Sequence, residues 1–92
     1  MSHVKFDSAV PQNSVQEKII TARVEKFSDA VTLILRAEAA LKSKKLVYVF
    51  VHVRQLTSDS FTYTIDDSRD KISLNAQASI QTKFNEVFGI RE

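Results

Sequence analysis

The sequence predicts an α+β domain: an antiparallel three- to four-stranded sheet with two helices packed on one face, in the order β-α-β-β-(β)-α. Three observations carry that prediction. Residues 45–56 (KLVYVFVHVRQL) are dense in β-branched and aromatic side chains, with Val47, Val49, Val51 and Val53 at a strict spacing of two. That pattern marks a strand rather than a helix. Ile20, Val24, Phe27, Val31, Ile34, Leu35 and Leu41 recur at helical spacing, interrupted only by Glu38, which marks one long amphipathic helix. A second, shorter stripe of Ala76, Ile80, Phe84, Val87 and Phe88 ends at Gly89, where a helix commonly closes on a left-handed residue.

The elements follow in chain order. Residues 3–10 alternate loosely, Val4 and Phe6 against Lys5 and Asp7, and read as a short first strand. Pro11 and Gln12 make a turn, and Asn13 or Ser14 can accept a hydrogen bond from an unpaired amide of the first helical turn. Glu17 stands three residues after Ser14, the spacing of a capping box. An unbroken helix from there to residue 43 would be ~42 Å long, longer than the sheet it covers. It therefore overhangs the sheet or breaks near Ser28-Asp29. A strand over residues 19–27, which alternate in part, is a third option. The single helix is preferred.

Lys42, Lys44 and Lys45 follow the helix, where positive charge complements the dipole and could also meet phosphate or an acidic partner. After the central strand, the polar stretch Thr57-Ser58-Asp59-Ser60 leads into alternating FTYTI, residues 61–65, so the two strands read as a hairpin. A four-residue loop pairs Leu56 with Phe61, Arg54 with Tyr63 and His52 with Ile65. One face then carries Tyr48, Phe50, His52, Arg54, Phe61, Tyr63 and Ile65, and the other the valines with Thr62 and Thr64. A slip of one residue would exchange the faces of the second strand. Asp66, Asp67 and Asp70 fall in the next turn, residues 71–74 (KISL) can add a short strand, and Asn75 is placed to cap the last helix. The two helical stripes need a common surface, which leaves one sheet face uncovered.

Composition narrows the function classes. The 92 residues suggest one domain, with 43% hydrophobic and 26% charged residues as in globular proteins. No cysteine is present, so neither a disulfide framework nor a thiolate metal site exists, which suits a cytoplasmic protein. No apolar run approaches a membrane span, and no basic region followed by an apolar core marks a signal peptide at the start. One glycine and one proline exclude a glycine-rich phosphate loop. Thirteen basic against 11 acidic side chains give a net charge of only +2, modest support for a nucleic-acid partner.

Catalytic chemistry has little to stand on. His52 would need an orienting carboxylate, for which Asp66 or Asp67 is the nearest expected candidate, and no serine sits in a nucleophile elbow. The turn aspartates lack the alternation, glycine and terminal glutamate of a calcium loop, and His3 and His52 make no zinc set. No enzyme, cofactor or metal is expected.

The β-α-β-β-β-α order is similar to that of ribosome-associated hibernation factors, and its α-β-β-β-α part to double-stranded RNA-binding domains. The resemblance is one of topology. The lysine-rich, GKK-like start of the last helix in the RNA-binding domains is replaced here by Asn75-Ala76-Gln77-Ala78, and no function is carried over.

Two functions follow from the uncovered face. The leading expectation is a non-catalytic protein-interaction or regulatory module, acting as a homodimer or on a protein partner. The rival is an RNA- or DNA-binding module whose aromatic side chains stack bases while basic ones meet phosphates. The candidate binding residues are the same for both: Tyr48, Phe50, His52, Arg54, Phe61 and Tyr63, with Lys44 and Lys45 at the rim.

Overall fold

A computed structural model describes residues 2–42, 48–67 and 72–89. Its elements are β1 (Ser2–Ser8), α1 (Ser14–Leu41), β2 (Val49–Thr57), β3 (Ser60–Asp67) and α2 (Leu74–Phe88). The α+β class and the pair of helices agree with the sequence reading, and the sheet is mixed rather than antiparallel. Its order is β1-β2-β3, with β1 parallel to β2 and β3 antiparallel to it. The physical reason lies in α1. A long helix between two neighbouring strands carries the chain back to the end where the first strand began, so the next strand runs the same way.

α1 is a single 28-residue helix with no break at Ser28-Asp29. Asn13 caps it: its side chain accepts from the Gln16 amide at 2.9 Å, and the Gln16 side chain accepts from the Asn13 amide. The capping box therefore starts one residue earlier than Ser14/Glu17, with glutamine as the reciprocating residue. α2 is capped by Ser73, whose hydroxyl accepts from the Ala76 amide at 3.2 Å, and not by Asn75. It ends as expected at Gly89, whose φ of 68° is a left-handed conformation that glycine adopts without strain. Within the expected strand at 71–74, Leu74 belongs to α2 and residues 72 and 73 form no strand; the remainder lies outside the described residues.

The valines decide which side of the sheet the helices cover. Val49, Val51 and Val53 are fully buried and join Ile20, Val24, Phe27, Val31 and Leu35 of α1, and Ile80, Phe84 and Phe88 of α2, in one core cluster. The register of β3 differs from the four-residue loop expected. Thr57 pairs with Ser60 across a two-residue turn at Ser58-Asp59, and the register shifts between Gln55 and Thr57, so Leu56 is extra. Such a bulge changes strand parity on one side only. Gln55 faces Phe61, Val53 faces Tyr63 and Val51 faces Ile65, so these β3 side chains share the valine face. Phe27 has Tyr63, Phe84 and Phe88 around it at ring-centroid distances of 5.1, 5.2 and 6.2 Å, all edge-on, the arrangement ring quadrupoles favour.

Two polar devices tie this core together. Gln55 is buried in the row of valines; its side-chain oxygen accepts from Ser8 Oγ at 3.1 Å and from the Gln12 amide, and its own amide reaches the Ser58 carbonyl at 3.5 Å. A buried amide with these partners joins the end of β1, the approach to α1 and the hairpin turn. Glu38, the interruption in the helical stripe, accepts a hydrogen bond from Ser73 and lies 3.9 Å from Lys42 Nζ. The residue that breaks the apolar pattern of α1 thus holds the N-cap of α2.

Candidate functional site

The open side of the sheet is built by alternation. In β2, the side chains between the valines are Phe50, His52 and Arg54. Parallel pairing brings Lys5 beside His52 and Asp7 beside Arg54; antiparallel pairing brings Asp66 beside Phe50, Thr64 beside His52 and Thr62 beside Arg54. None of these side chains belongs to the helix-side core cluster. Phe50 is 37% exposed, a large apolar ring presented to solvent among polar neighbours.

Its most defined interaction is between His52 and Asp7, Nε2 to Oδ2 at 2.7 Å. An ionised carboxylate only accepts, so the imidazole donates through Nε2–H. That hydrogen bond is the largest effect and holds the Asp7 carboxyl below the usual aspartate range; desolvation, next in size, opposes it, and the charges of Lys5, His52 and Arg54 each add a smaller lowering. Lys5 Nζ also lies 3.9 Å from Asp7 Oδ2. Basic and acidic groups therefore alternate across the face, a patterned surface and not a single-sign field.

The expected binding residues separate into three groups. Phe50, His52 and Arg54 lie on the open face together, and Tyr48, 39% exposed, directly precedes β2. Phe61 and Tyr63 do not join them. Phe61 stacks at 4.8 Å on Phe88, and Tyr63 at 4.5 Å on Phe84 while its hydroxyl donates to Gln81 at 2.9 Å; burial pushes the Tyr63 phenol up. Lys44 and Lys45 lie outside the described residues. Lys5, Asp7, Thr62 and Thr64 were not among the expected site residues. Their signal was the alternation of β1 read in register with β2, which required knowing that the two strands pair.

The carboxylate that meets His52 also differs from expectation. Asp66 stands opposite Phe50 and Asp67 opposite Val49; Asp7 reaches the imidazole from the other side of β2. Away from this face, Ile20, Arg23, Ser58, Asp59, Phe61, Phe88 and Gly89 line an open cleft of about 470 Å³ beside the hairpin turn. Among the described residues no group of three or more histidine, cysteine, aspartate or glutamate side chains converges as a metal site, and no helix is long and apolar enough to cross a membrane.

Comparison of the chain with known protein families, with curated proteins and with solved structures gives no match.

Proposed function

We propose that this chain is a non-catalytic binding module that docks a protein partner on the open face of its sheet. The observation that carries this reading is Phe50, a half-exposed aromatic ring framed by Arg54, the His52–Asp7 pair, Lys5 and two threonines. An aromatic anchor within a polar, hydrogen-bonding surround is the usual anatomy of a protein-binding patch. The mixed charge fits a partner surface with both signs. The His52–Asp7 pair acts in this reading by fixing a donor and an acceptor at the surface. A flat sheet face does not exclude water from a reacting group, and that favours binding over catalysis. The absence of cysteine suits a cytoplasmic setting.

Nucleic acid is the less favoured occupant. Phe61 and Tyr63 are committed to ring contacts with α2, which leaves Phe50 and Tyr48 as stacking groups, and Asp7 and Asp66 place negative charge on the same face. A photoreactive phenylalanine analogue at position 50, with the same probe at Leu33 as a control, tests the reading. Leu33 is 66% exposed on α1. A discrete protein adduct at 50, absent at 33 and removed by excess unlabelled protein, supports it. Nuclease-sensitive adducts that fade with rising salt would assign the face to nucleic acid instead.

A further inference from the structure

We infer that the outer edge of β3 pairs antiparallel with β3 of a second copy, joining two three-stranded sheets into one. This extends the binding-module reading by naming a second copy as partner, at an edge separate from the open face. Among the described residues, β3 pairs with β2 on one side and with no strand on the other. Alternate N–H and C=O groups of an eight-residue strand therefore point outward. Edges of this kind are normally blunted with lysine, proline or a bulge. Ser60–Asp67 (SFTYTIDD) contains no lysine or proline, and the register shift of the hairpin lies at Gln55/Thr57 in β2.

The sequence of the edge selects its partner. Its acidic residues, Asp66 and Asp67, stand together at the C-terminal end. A parallel pairing of two copies would stack like charges on one another, whereas an antiparallel pairing moves them to opposite ends. A two-fold axis normal to the sheet and midway between the two copies of Tyr63 places Phe61 opposite Ile65 of the second copy, Thr62 opposite Thr64, and Ser60 opposite Asp66. Both copies then keep their helices on the same side. The half-buried Phe61, Tyr63 and Ile65 form one apolar row across the axis beneath them. On the other side, Thr62 and Thr64 form two identical cross-strand pairs, as the self-complementary surface of a two-fold dimer requires. The open faces of the two copies become one continuous face with Phe50 repeated across the axis.

Sedimentation equilibrium of the full chain over a range of concentrations, with circular dichroism as a control for folding, tests the pairing. Thr62 and Thr64 are exposed on the side away from the core, so substitutions there leave the helix packing intact. The doubly substituted Thr62→Lys/Thr64→Lys chain brings like charges opposite each other twice, and its dimer dissociates already at roughly tenfold higher concentration or more. The Thr62→Lys/Thr64→Glu chain places opposite charges in both pairs and restores the dimer. Phe50→Ala leaves self-association unchanged because its ring lies on the open face and not at the edge, whereas the photoreactive analogue at position 50 reads the face alone, so failure at the edge is distinguishable from failure at the face. A wild-type chain that stays monomeric at millimolar concentration, a dimer indifferent to the two lysines, or a lysine/glutamate chain no better than the lysine pair would overturn the proposal.

Discussion

Truncating Phe27 probes the centre of the packing. Its ring is 0% exposed and edge-on to Tyr63, Phe84 and Phe88, so it links α1 to both β3 and α2. Phe27→Ala removes the transfer free energy of the ring and leaves a cavity that three aromatic neighbours fill only in part, a loss of about 3–5 kcal/mol. A chain of 92 residues has about 5–14 kcal/mol of folding stability in total. Phe27→Ala therefore removes a large share of it. Phe27→Leu keeps most of the volume and loses roughly 1–1.5 kcal/mol. Urea unfolding followed by far-ultraviolet circular dichroism should give midpoints in the order wild type, Phe27→Leu, Phe27→Ala, with the denaturant slope unchanged. Phe50→Ala, on the open face, should cost about 0.5 kcal/mol. A Phe27→Ala loss under about 1 kcal/mol, or an equal loss from Phe50→Ala, would refute the assignment of the two sheet faces.

Three further outcomes follow from the geometry. Ser73→Ala should lower stability by about 1 kcal/mol in chemical denaturation, since it removes the N-cap of α2 and the tie to Glu38; no change would show that α2 is held by its apolar face alone. Arg54→Cys with Thr62→Cys, on opposing residues of the open face, should crosslink on mild oxidation, whereas Arg54→Cys with Tyr63→Cys should not; the reverse would restore the four-residue loop register. The Asp7 carboxyl, depressed first by its hydrogen bond from His52, should titrate below 3.8 by carbon NMR. Because its folded value is lowered, its contribution to stability is present above the unfolded value and is lost as pH falls through the folded one. Asp7→Asn should therefore show a shallower loss of stability below pH 3.8, and an unchanged acid limb would remove the pair from the account.

The valine period in β2 and the two helical stripes were enough to place nearly every core residue, because burial imposes its own periodicity. The partner strand was harder. Nothing local distinguishes a four-residue loop over Thr57-Ser58-Asp59-Ser60 from a two-residue turn with Leu56 bulged, yet the choice moves Phe61 and Tyr63 from one face to the other. Both are aromatic residues in an alternating run, and alternation alone does not say which phase meets the valines. The signal of the parallel β1 lies in the length of α1, because a helix that long between strands that are neighbours in the sheet makes a crossover. Glu38 and Gln55 read as interruptions of apolar rows, and each acquires a role only through residues distant in sequence, Ser73 in one case and Ser8 and Gln12 in the other. On the candidate site, His52 and Arg54 were legible from their strand; Asp7 and Lys5 became so only through the β1–β2 register.

Which face of β2 meets water is measured most directly with a soluble paramagnetic agent in NMR. The account predicts strong broadening of the Phe50, Thr62 and Thr64 side-chain signals, with Val51, Val53 and Phe27 protected and nuclear Overhauser contacts from Phe27 to Tyr63. A protected Phe50 beside a broadened Tyr63 would contradict it, and with it the site on which the proposed binding rests.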